Sequence, residues 1–456
     1  MECVRYAMEN NIPVKQSALQ ADVAEITYTQ SKLSQIPSFN VSNSEGLSYG
    51  KSQNPSTGIL ENQNYFSVNL NLQSSVQIFN WFSKKNTILA NQFAVMAANA
   101  ATDKLKNDIA LTVANSYLQI LLAREQEQIA TVQVKQSRTQ LDLINKQVAA
   151  GAMAEFNATE LESQLANDTA NLITAAGNVT QAKYVLKSNM NIDAADSFDI
   201  DEPSMNQIPV MPIGDLQPES VYASALENQP QQKMNAYNLK AAEKNSLASK
   251  GMLYPSISAF GNLGSSYGYF RTPQFTQVFT GYVPSGLVVT DNSGNVIQVQ
   301  RPVYKNGVKD GYITSNSFGT QFNNNFGQSI GLNLSIPIFN GWQAKANYKR
   351  SKINIKNLEL QDDLDNKTLK QDIYQAYNAA AVAMAKLSSS EKAVQAAQKT
   401  YDYTLTRYTI GMIGTLELIT NQNRLFTAKL QYAVNQFDYV FKMKVLEYYK
   451  GTGLKF

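Results

Sequence analysis

Phe66-Ser67-Val68-Asn69-Leu70-Asn71-Leu72-Gln73-Ser74-Ser75-Val76-Gln77-Ile78-Phe79-Asn80-Trp81 alternates apolar with polar side chains, and a proline-free run, residues 83–149, follows it. The alternation puts Phe66, Val68, Leu70, Leu72, Val76 and Ile78 on one face of a strand. The other face, Ser67, Asn69, Asn71, Gln73, Ser75 and Gln77, is polar but uncharged. A half-buried sheet of a soluble domain would alternate in the same way. Length separates the two readings, because the run reaches the ~9–11 residues of a tilted membrane strand, against about 5–6 in soluble sheets. The run that follows reads as one helix of about 100 Å at 1.5 Å per residue, too long for a compact domain.

The pattern occurs twice. Ile338-Phe339-Asn340 repeats Ile78-Phe79-Asn80, Tyr377 repeats Tyr117 and Gly411 repeats Gly151, each 260 residues on. Nearer the N-terminus, Ala225-Leu226-Glu227-Asn228-Gln229 echoes Ala7-Met8-Glu9-Asn10-Asn11, and Ser266-Tyr267-Gly268 echoes Ser48-Tyr49-Gly50, both 218 residues on. The chain is therefore a duplication. The offset steps once, by 42 residues, between Gly268 and Ile338. In the second copy Ile330, Leu332, Leu334, Ile336 and Ile338 alternate with Ser329, Gly331, Asn333 and Ser335, and Pro337 fits only near a strand end.

The predicted fold is α+β, a helix-strand-strand-helix-helix unit used twice. Repeat 1 covers 1–190, with strands about 36–50 and 64–79 and the long helix 83–149. Repeat 2 covers 218–450, with strands about 254–270 and 328–339 and the long helix 342–409; a tail, 451–456, follows. The extra residues fall in an insertion, about 271–327, where Val288 to Ile297 reads as a hairpin turning at Asn292-Ser293-Gly294-Asn295. Shorter helices are expected at about 3–34 and 155–189, and at 218–252 and 415–450, so that two stacked short helices span one long one. From Tyr377, the positions Ala380, Met384, Leu387, Glu391, Val394, Gln398, Tyr401, Leu405 and Tyr408 step by three and four, the 3.5-residue period of a left-handed coiled coil. Residues 191–217 between the repeats carry Asp193, Asp196, Asp199, Asp201, Glu202 and Asp215 with Pro203, Pro209 and Pro212 and no Lys or Arg, a solvated linker.

Composition removes most chemistry. The chain has no histidine and a single cysteine, Cys3, so no Ser-His-Asp or Cys-His nucleophile system and no His- or Cys-ligated metal site can be assembled. No cofactor is expected, and nothing marks the walled pocket that paired carboxylates would need. A net charge of +3 without a basic run argues against nucleic acid. No run of 18 apolar residues provides a helical membrane span, but a β-barrel needs none. Met1 leads straight into helical pattern, so either a leader has been removed or the given chain starts after one. Four strands cannot close a barrel, and open edges cannot stand in lipid. Two chains would give eight strands, which side chains nearly fill; three give twelve and leave a pore. Trp81 and Trp342, with Phe79, Phe82 and Phe339, stand where strand yields to helix, the place of a membrane-interface belt; ordinary packing is the competing reading.

From Cys3 to about Tyr449 the chain resembles the TolC outer-membrane efflux family. The resemblance is carried by Ala7-Met8-Glu9-Asn10-Asn11, Tyr254-Pro255-Ser256-Ile257, Ile336-Pro337-Ile338-Phe339-Asn340-Gly341, and Arg407-Tyr408-Thr409-Ile410-Gly411 followed by Leu416-Glu417-Leu418-Ile419. Each motif alone is weak; their order and duplication make them specific. The resemblance implies a homotrimer in the outer membrane of a Gram-negative bacterium, with a 12-stranded β-barrel in outer-membrane lipid continued by a 12-helix periplasmic coiled-coil α-barrel. It implies a passive exit channel of a tripartite efflux or type I secretion system, partnered by a periplasmic adaptor (membrane fusion) protein and an inner-membrane RND, ABC or MFS-type transporter, and not an enzyme. A non-conducting coiled-coil surface fibre or adhesin is the alternative.

The resemblance also assigns residues. Gly151 and Gly411 fall where the long helices turn back, and Ala152, Met153, Met412 and Ile413 beside them are expected to expose small and apolar groups to the adaptor. Tyr408 and Glu417 match a periplasmic gate tyrosine and an acidic-ring position, and Arg407 adjoins the tyrosine. Its usual aspartate partner is Asn157 here, the second acidic position is Thr420, and a gate arginine position is Ile413. A neutral hydrogen bond between Tyr408 and Asn157 is therefore expected to replace a charged latch.

Overall fold

The computed structural model describes residues 2–53, 60–201 and 208–451; Glu202, Pro203 and the tail beyond Gly451 lie outside the described residues. The element order is α1 (Glu2–Asn10), α2 (Ile12–Leu33), β1 (Ser38–Gln53), β2 (Leu60–Phe79), α3 (Ser83–Ala149), α4 (Glu155–Met190), α5 (Pro218–Asn228), α6 (Pro230–Gly251), β3 (Ser256–Tyr269), β4 (Arg271–Thr290), β5 (Val296–Thr314), α7 (Phe318–Asn324), β6 (Gly327–Ser335), α8 (Gln343–Thr409) and α9 (Thr415–Lys450). These divide into a helical unit (residues 1–31, 85–249 and 343–456) and a sheet unit (32–84 and 250–342).

In the helical unit the duplication holds to the residue. α3 and α8 have 67 residues each, α4 and α9 36 each, and α2 and α6 22 each. Matched core positions are fully buried in both halves: Ala7 and Ala225, Val113 and Ile373, Ile120 and Ala380, Leu186 and Leu446. The side chains differ between the halves, Val113 against Ile373 and Ile120 against Ala380, yet all four are fully buried.

The short helices expected at 3–34 and 218–252 are each broken, at Asn11 and at Gln229. Pro13 and Pro230 supply the reason, since neither has an N–H to continue the helical ladder. The break has a use. Asn11 Nδ2 donates to Asn189 O at the end of α4 (2.9 Å), and Gln229 Nε2 donates to Tyr448 O and Tyr449 O at the end of α9 (3.0 and 3.2 Å). Carbonyls left over at a helix C-terminus are thus paired twice by the same device.

The stretch expected to be a solvated linker is solvated only in part. Ile208 and Leu216 are buried, and Phe198, Ile200, Val210 and Met211 pack against the clusters. Its described acids, Asp193, Asp196, Asp199, Asp201 and Asp215, are exposed; Asp199 is held below the usual carboxylate range by Lys183, the amide of Ile200 and Arg124. Lys187, itself buried, donates to Ala194 O and Asp196 O at 2.6 Å each.

The sheet unit holds one four-stranded antiparallel sheet in the order β1-β2-β3-β6 and a separate two-stranded ribbon, β4-β5. The register puts Val41 opposite Leu72, Leu72 opposite Leu263, Ala259 opposite Leu332 and Ile257 opposite Leu334, so that all four strands contribute apolar residues to one face. The reverse face carries Asn40, Asn71, Asn262 and Ser329. β6 stops at Ser335 instead of running to 339. Pro337 has no amide for a ladder bond, so the alternating Ile336 and Ile338 lie beyond the strand.

The insertion folds as the β4-β5 ribbon and α7. Asp291 accepts from the amides of Asn295 and Ser293 at 2.9 Å each, which holds its carboxyl below the ordinary range and closes the turn before Gly294, at φ 86°. α7 covers the part of β3 that lies beyond the end of β6. Gln321 accepts from Gly268 N (3.1 Å) and donates to Gly268 O (2.9 Å), and Asn325 donates to Ser266 O (2.7 Å), as a neighbouring strand's backbone would.

Each strand-to-helix corner is made by two successive left-handed residues, Trp81 (φ 50°) and Phe82 (φ 59°) in one half, Gly341 (φ 63°) and Trp342 (φ 67°) in the other. Three of these four carry a Cβ, at a cost of about 1–2 kcal/mol each. Gly251 seats the first corner. A Cβ there would stand 2.9 Å from Ser83 Cβ, 3.0 Å from Trp81 O and 3.2 Å from Asn80 O. Backbone atoms cannot step aside as a side-chain tip can. Gly251→Ala is therefore expected to destabilise the sheet unit by about 1–3 kcal/mol, read as a lower unfolding temperature with Gly214→Ala, which meets nothing, as the control.

Candidate functional site

The two long helices end in the same motif. Gly151 (φ 71°) donates to Val148 O at 2.9 Å and Ala152 to Gln147 O at 2.8 Å; Gly411 (φ 75°) donates to Tyr408 O at 3.0 Å and Met412 to Arg407 O at 2.9 Å. This pair of bonds is the Schellman motif, and it needs the left-handed conformation that glycine adopts freely.

Such a turn sends the next apolar residue back onto its own helix. Met153 and Ile413 do this, packing on a cluster of Leu141, Ile144, Leu161, Tyr401, Tyr408 and Leu418. The expectation that both stand exposed is corrected accordingly. Ala152 and Met412 do remain exposed, and Phe156, Ile410 and Leu416, which the motif reading passes over, are exposed beside them.

Tyr408 is buried, and its hydroxyl lies 3.2 Å from Thr415 Oγ1. Thr415, 1% exposed, donates in turn to Asn157 Oδ1 at 2.8 Å. The expected bond between Tyr408 and Asn157 is thus replaced by a relay through Thr415. The hydroxyl fits because position 415 opens α9 directly after the turn, between the end of α8 and the start of α4. Nothing periodic in the sequence singles it out; only its place four residues after Gly411 does.

One heptad along, Gln164 and Asn423 exchange a reciprocal amide pair, Gln164 Nε2 to Asn423 Oδ1 at 3.1 Å and Asn423 Nδ2 to Gln164 Oε1 at 3.2 Å. Behind it Gln422 donates to Ser137 Oγ (3.1 Å), and Ser137 donates to Asp168 (2.5 Å), which also accepts from Gln164 at 2.8 Å. Gln140 Nε2 donates to the Tyr401 hydroxyl at 3.2 Å, and burial pushes that phenol up. Every link that joins α9 to α3 and α4 here is between uncharged groups, apart from the single carboxylate of Asp168.

Glu417 and Arg407 are both exposed, and among the described residues neither is in an ion pair. Glu417 lies in the first turn of α9, where a carboxylate complements unpaired N–H groups. In the sheet unit Phe79 packs on Trp81 and Phe82 at 5.6 and 5.9 Å, and Trp81 on Tyr254 at 4.8 Å between centroids. Phe339 and Trp342 are exposed. Among the described residues no group of three or more His, Cys, Asp or Glu could hold a metal ion, and no helix is long and apolar enough to cross a membrane.

The family model described as outer membrane efflux protein matches residues 4–191 and 221–440. The chain is 22% identical over 456 residues to outer membrane protein TolC of Escherichia coli, covering 99% of this chain and 82% of that one. It is 22% identical over 444 residues to outer membrane efflux protein BepC of Brucella suis, covering 95% and 81%. Among solved structures it resembles the Campylobacter jejuni CmeC outer membrane channel (TM-score 0.73, 16% identity, 100% of this chain and 86% of that one). It also resembles the outer membrane protein VceC of Vibrio cholerae (TM-score 0.75, 14% identity, 100% and 96%).

Proposed function

The chain belongs to the outer membrane efflux protein family, whose members are channels and not enzymes, and on that premise we propose that it is one protomer of a trimeric export duct. The outer membrane is its location, and a passive exit role is its class. The observation that carries the trimer is the sheet. Among the described residues its two end strands, β1 and β6, have one neighbour each, and its apolar face leaves Val41, Ile330, Leu332 and Leu334 exposed. Open ladder edges in lipid cost several kcal/mol per unpaired group, so β6 of one copy pairs with β1 of the next until three copies close twelve strands. The apolar face then meets lipid and the polar face lines the bore.

The helical unit supplies the rest of the duct. Helices α3 and α8, with the stacked shorter helices, become staves of a periplasmic coiled-coil wall. The Schellman turns at Gly151 and Gly411 are its entrance. Ala152, Met412, Ile410, Leu416 and Phe156 offer the periplasmic adaptor an apolar rim, and the adaptor connects to an inner-membrane transporter. The relay Tyr408–Thr415–Asn157 is the entrance latch, and the Gln164–Asn423 pair is its second rung.

A non-conducting fibre would use the long helices but has no need of a sheet with one apolar face. Extraction decides between them. The protein is expected to require detergent, to have the mass of three chains, and to pass current across a planar bilayer; a water-soluble chain with no current would overturn the duct.

A further inference from the structure

β3 and β6 meet on the polar face of the sheet at Phe260 and Gly331, which are cross-strand partners. At this level the face is otherwise built from short side chains, since Ser75 pairs with Phe260 from the other side and Ser38 pairs with Ser75. A Cβ on Gly331 would stand 2.7 Å from Phe260 Cζ and 2.9 Å from Phe260 Cε1. The near atoms belong to the far end of the ring, so the ring crosses the gap between the strands and lies along the wall over Gly331. Only glycine leaves that seat open. An aromatic ring over a strand glycine covers its bare backbone, which is reason enough for the pairing in any sheet. The position is unusual because the ring is on the wrong face. Its neighbours there, Ser258 and Asn262 on β3, Asn333 on β6 and Gln73 on β2, are all polar and uncharged.

We propose that Phe260, seated on Gly331, is a specificity-determining residue of the exit barrel: three copies form an aromatic collar on an otherwise polar bore and hold aromatic and organic-cation cargo as it leaves. The inference rests on the trimeric barrel with its polar face inward. With no charged side chain beside it on the wall, the ring face is what an organic cation meets at this level. Gly331 sets how far the ring protrudes. A side chain at 331 would evict the ring tip from its seat and swing it into the bore.

The test is block of single channels by tetraphenylphosphonium added on the side of the β4-β5 ribbon, from which the cation reaches the collar without passing the helical entrance. Wild-type channels are expected to be blocked. Phe260→Ala, and Phe260→Leu, which keeps the bulk and loses the aromatic face, are expected to weaken block about three- to tenfold. Phe260→Tyr keeps wild-type block. Gly331→Ala is expected to lower conductance and strengthen block, and Phe260→Ala/Gly331→Ala to return to the value of Phe260→Ala alone. A role confined to covering Gly331 would shift the unfolding temperature and leave block unchanged. Equal block in wild type and Phe260→Leu, or none in either, overturns the collar. If wild-type protein forms no channel, the duct reading fails first and the collar falls with it, a result distinct from channels that ignore residue 260.

Discussion

Glu447→Ala is expected to cost the helical unit about 3–5 kcal/mol. Glu447 and Lys444 sit on one face of α9, and their side chains are 4% and 1% exposed. Lys444 Nζ donates to Glu447 Oε2 at 2.8 Å and to Pro209 O at 2.5 Å, while Glu447 Oε1 accepts from Met211 N at 2.8 Å. The pair thus pins the segment around Pro209 and Met211 to the end of α9. Truncating the glutamate removes a buried counter-charge of Lys444 and the Oε1 acceptor of the Met211 amide. Both penalties fall on buried groups. Replacing both partners, Lys444→Met with Glu447→Leu, removes the charges together and is expected to cost far less, about 1–2 kcal/mol, because what remains is the loss of the linker's polar anchor. Denaturant unfolding in detergent reads both values. A loss below about 1 kcal/mol for Glu447→Ala would mean that water reaches the pair and that the linker is not held by it.

The other half reaches the same end with different residues. Lys187 stands 260 residues before Glu447 and donates directly to two linker carbonyls, with no carboxylate in between. This shows what the sequence can and cannot disclose. Period and duplication are legible because they repeat: the strand alternation, the proline-free runs and the glycines after each long helix all recur at a fixed offset. Their physical cause is one geometry used twice. Polar anchors do not recur as residue types, since a lysine and a glutamate can each satisfy a linker, and so the sequence hides them. The breaks at Asn11 and Gln229 are hidden for a related reason. Proline marks both places, but only the packed structure offers the helix-end carbonyls that make a break worth having.

The same limit applies at the proposed entrance. Tyr408 and Asn157 can be matched from the sequence, and a direct bond between them is the natural expectation. Thr415 has no motif value, yet it is the buried hydroxyl that both of them meet. Met153 and Ile413 look like rim residues until the Schellman turn folds them inward.

Thr415→Val is expected to open that entrance. Valine keeps the shape and removes the hydroxyl, so the Tyr408 and Asn157 contacts are lost together at about 1 kcal/mol each. Three protomers around one mouth sum the effect to roughly 6 kcal/mol if the tips part in concert, enough to turn a closed population into an open one. In single channels the expected reading is a conductance several-fold above wild type, with an unfolding temperature lowered by only a few degrees, because each protomer alone loses about 2 kcal/mol. Asn157→Asp should act in the opposite sense. A carboxylate there accepts the Thr415 hydroxyl more strongly, at about 1.5–3 kcal/mol for a bond to a charged group, and it lies in the first turn of α4, where negative charge is favoured. Conductance should then fall. Gln164→Leu, which breaks the second rung and leaves Thr415 intact, is expected to give an intermediate rise. The order of the four proteins, Asn157→Asp below wild type, then Gln164→Leu, then Thr415→Val, follows from the ladder and from nothing else in the tip. A Thr415→Val channel as closed as wild type would show that contacts between protomers, and not this relay, hold the entrance shut.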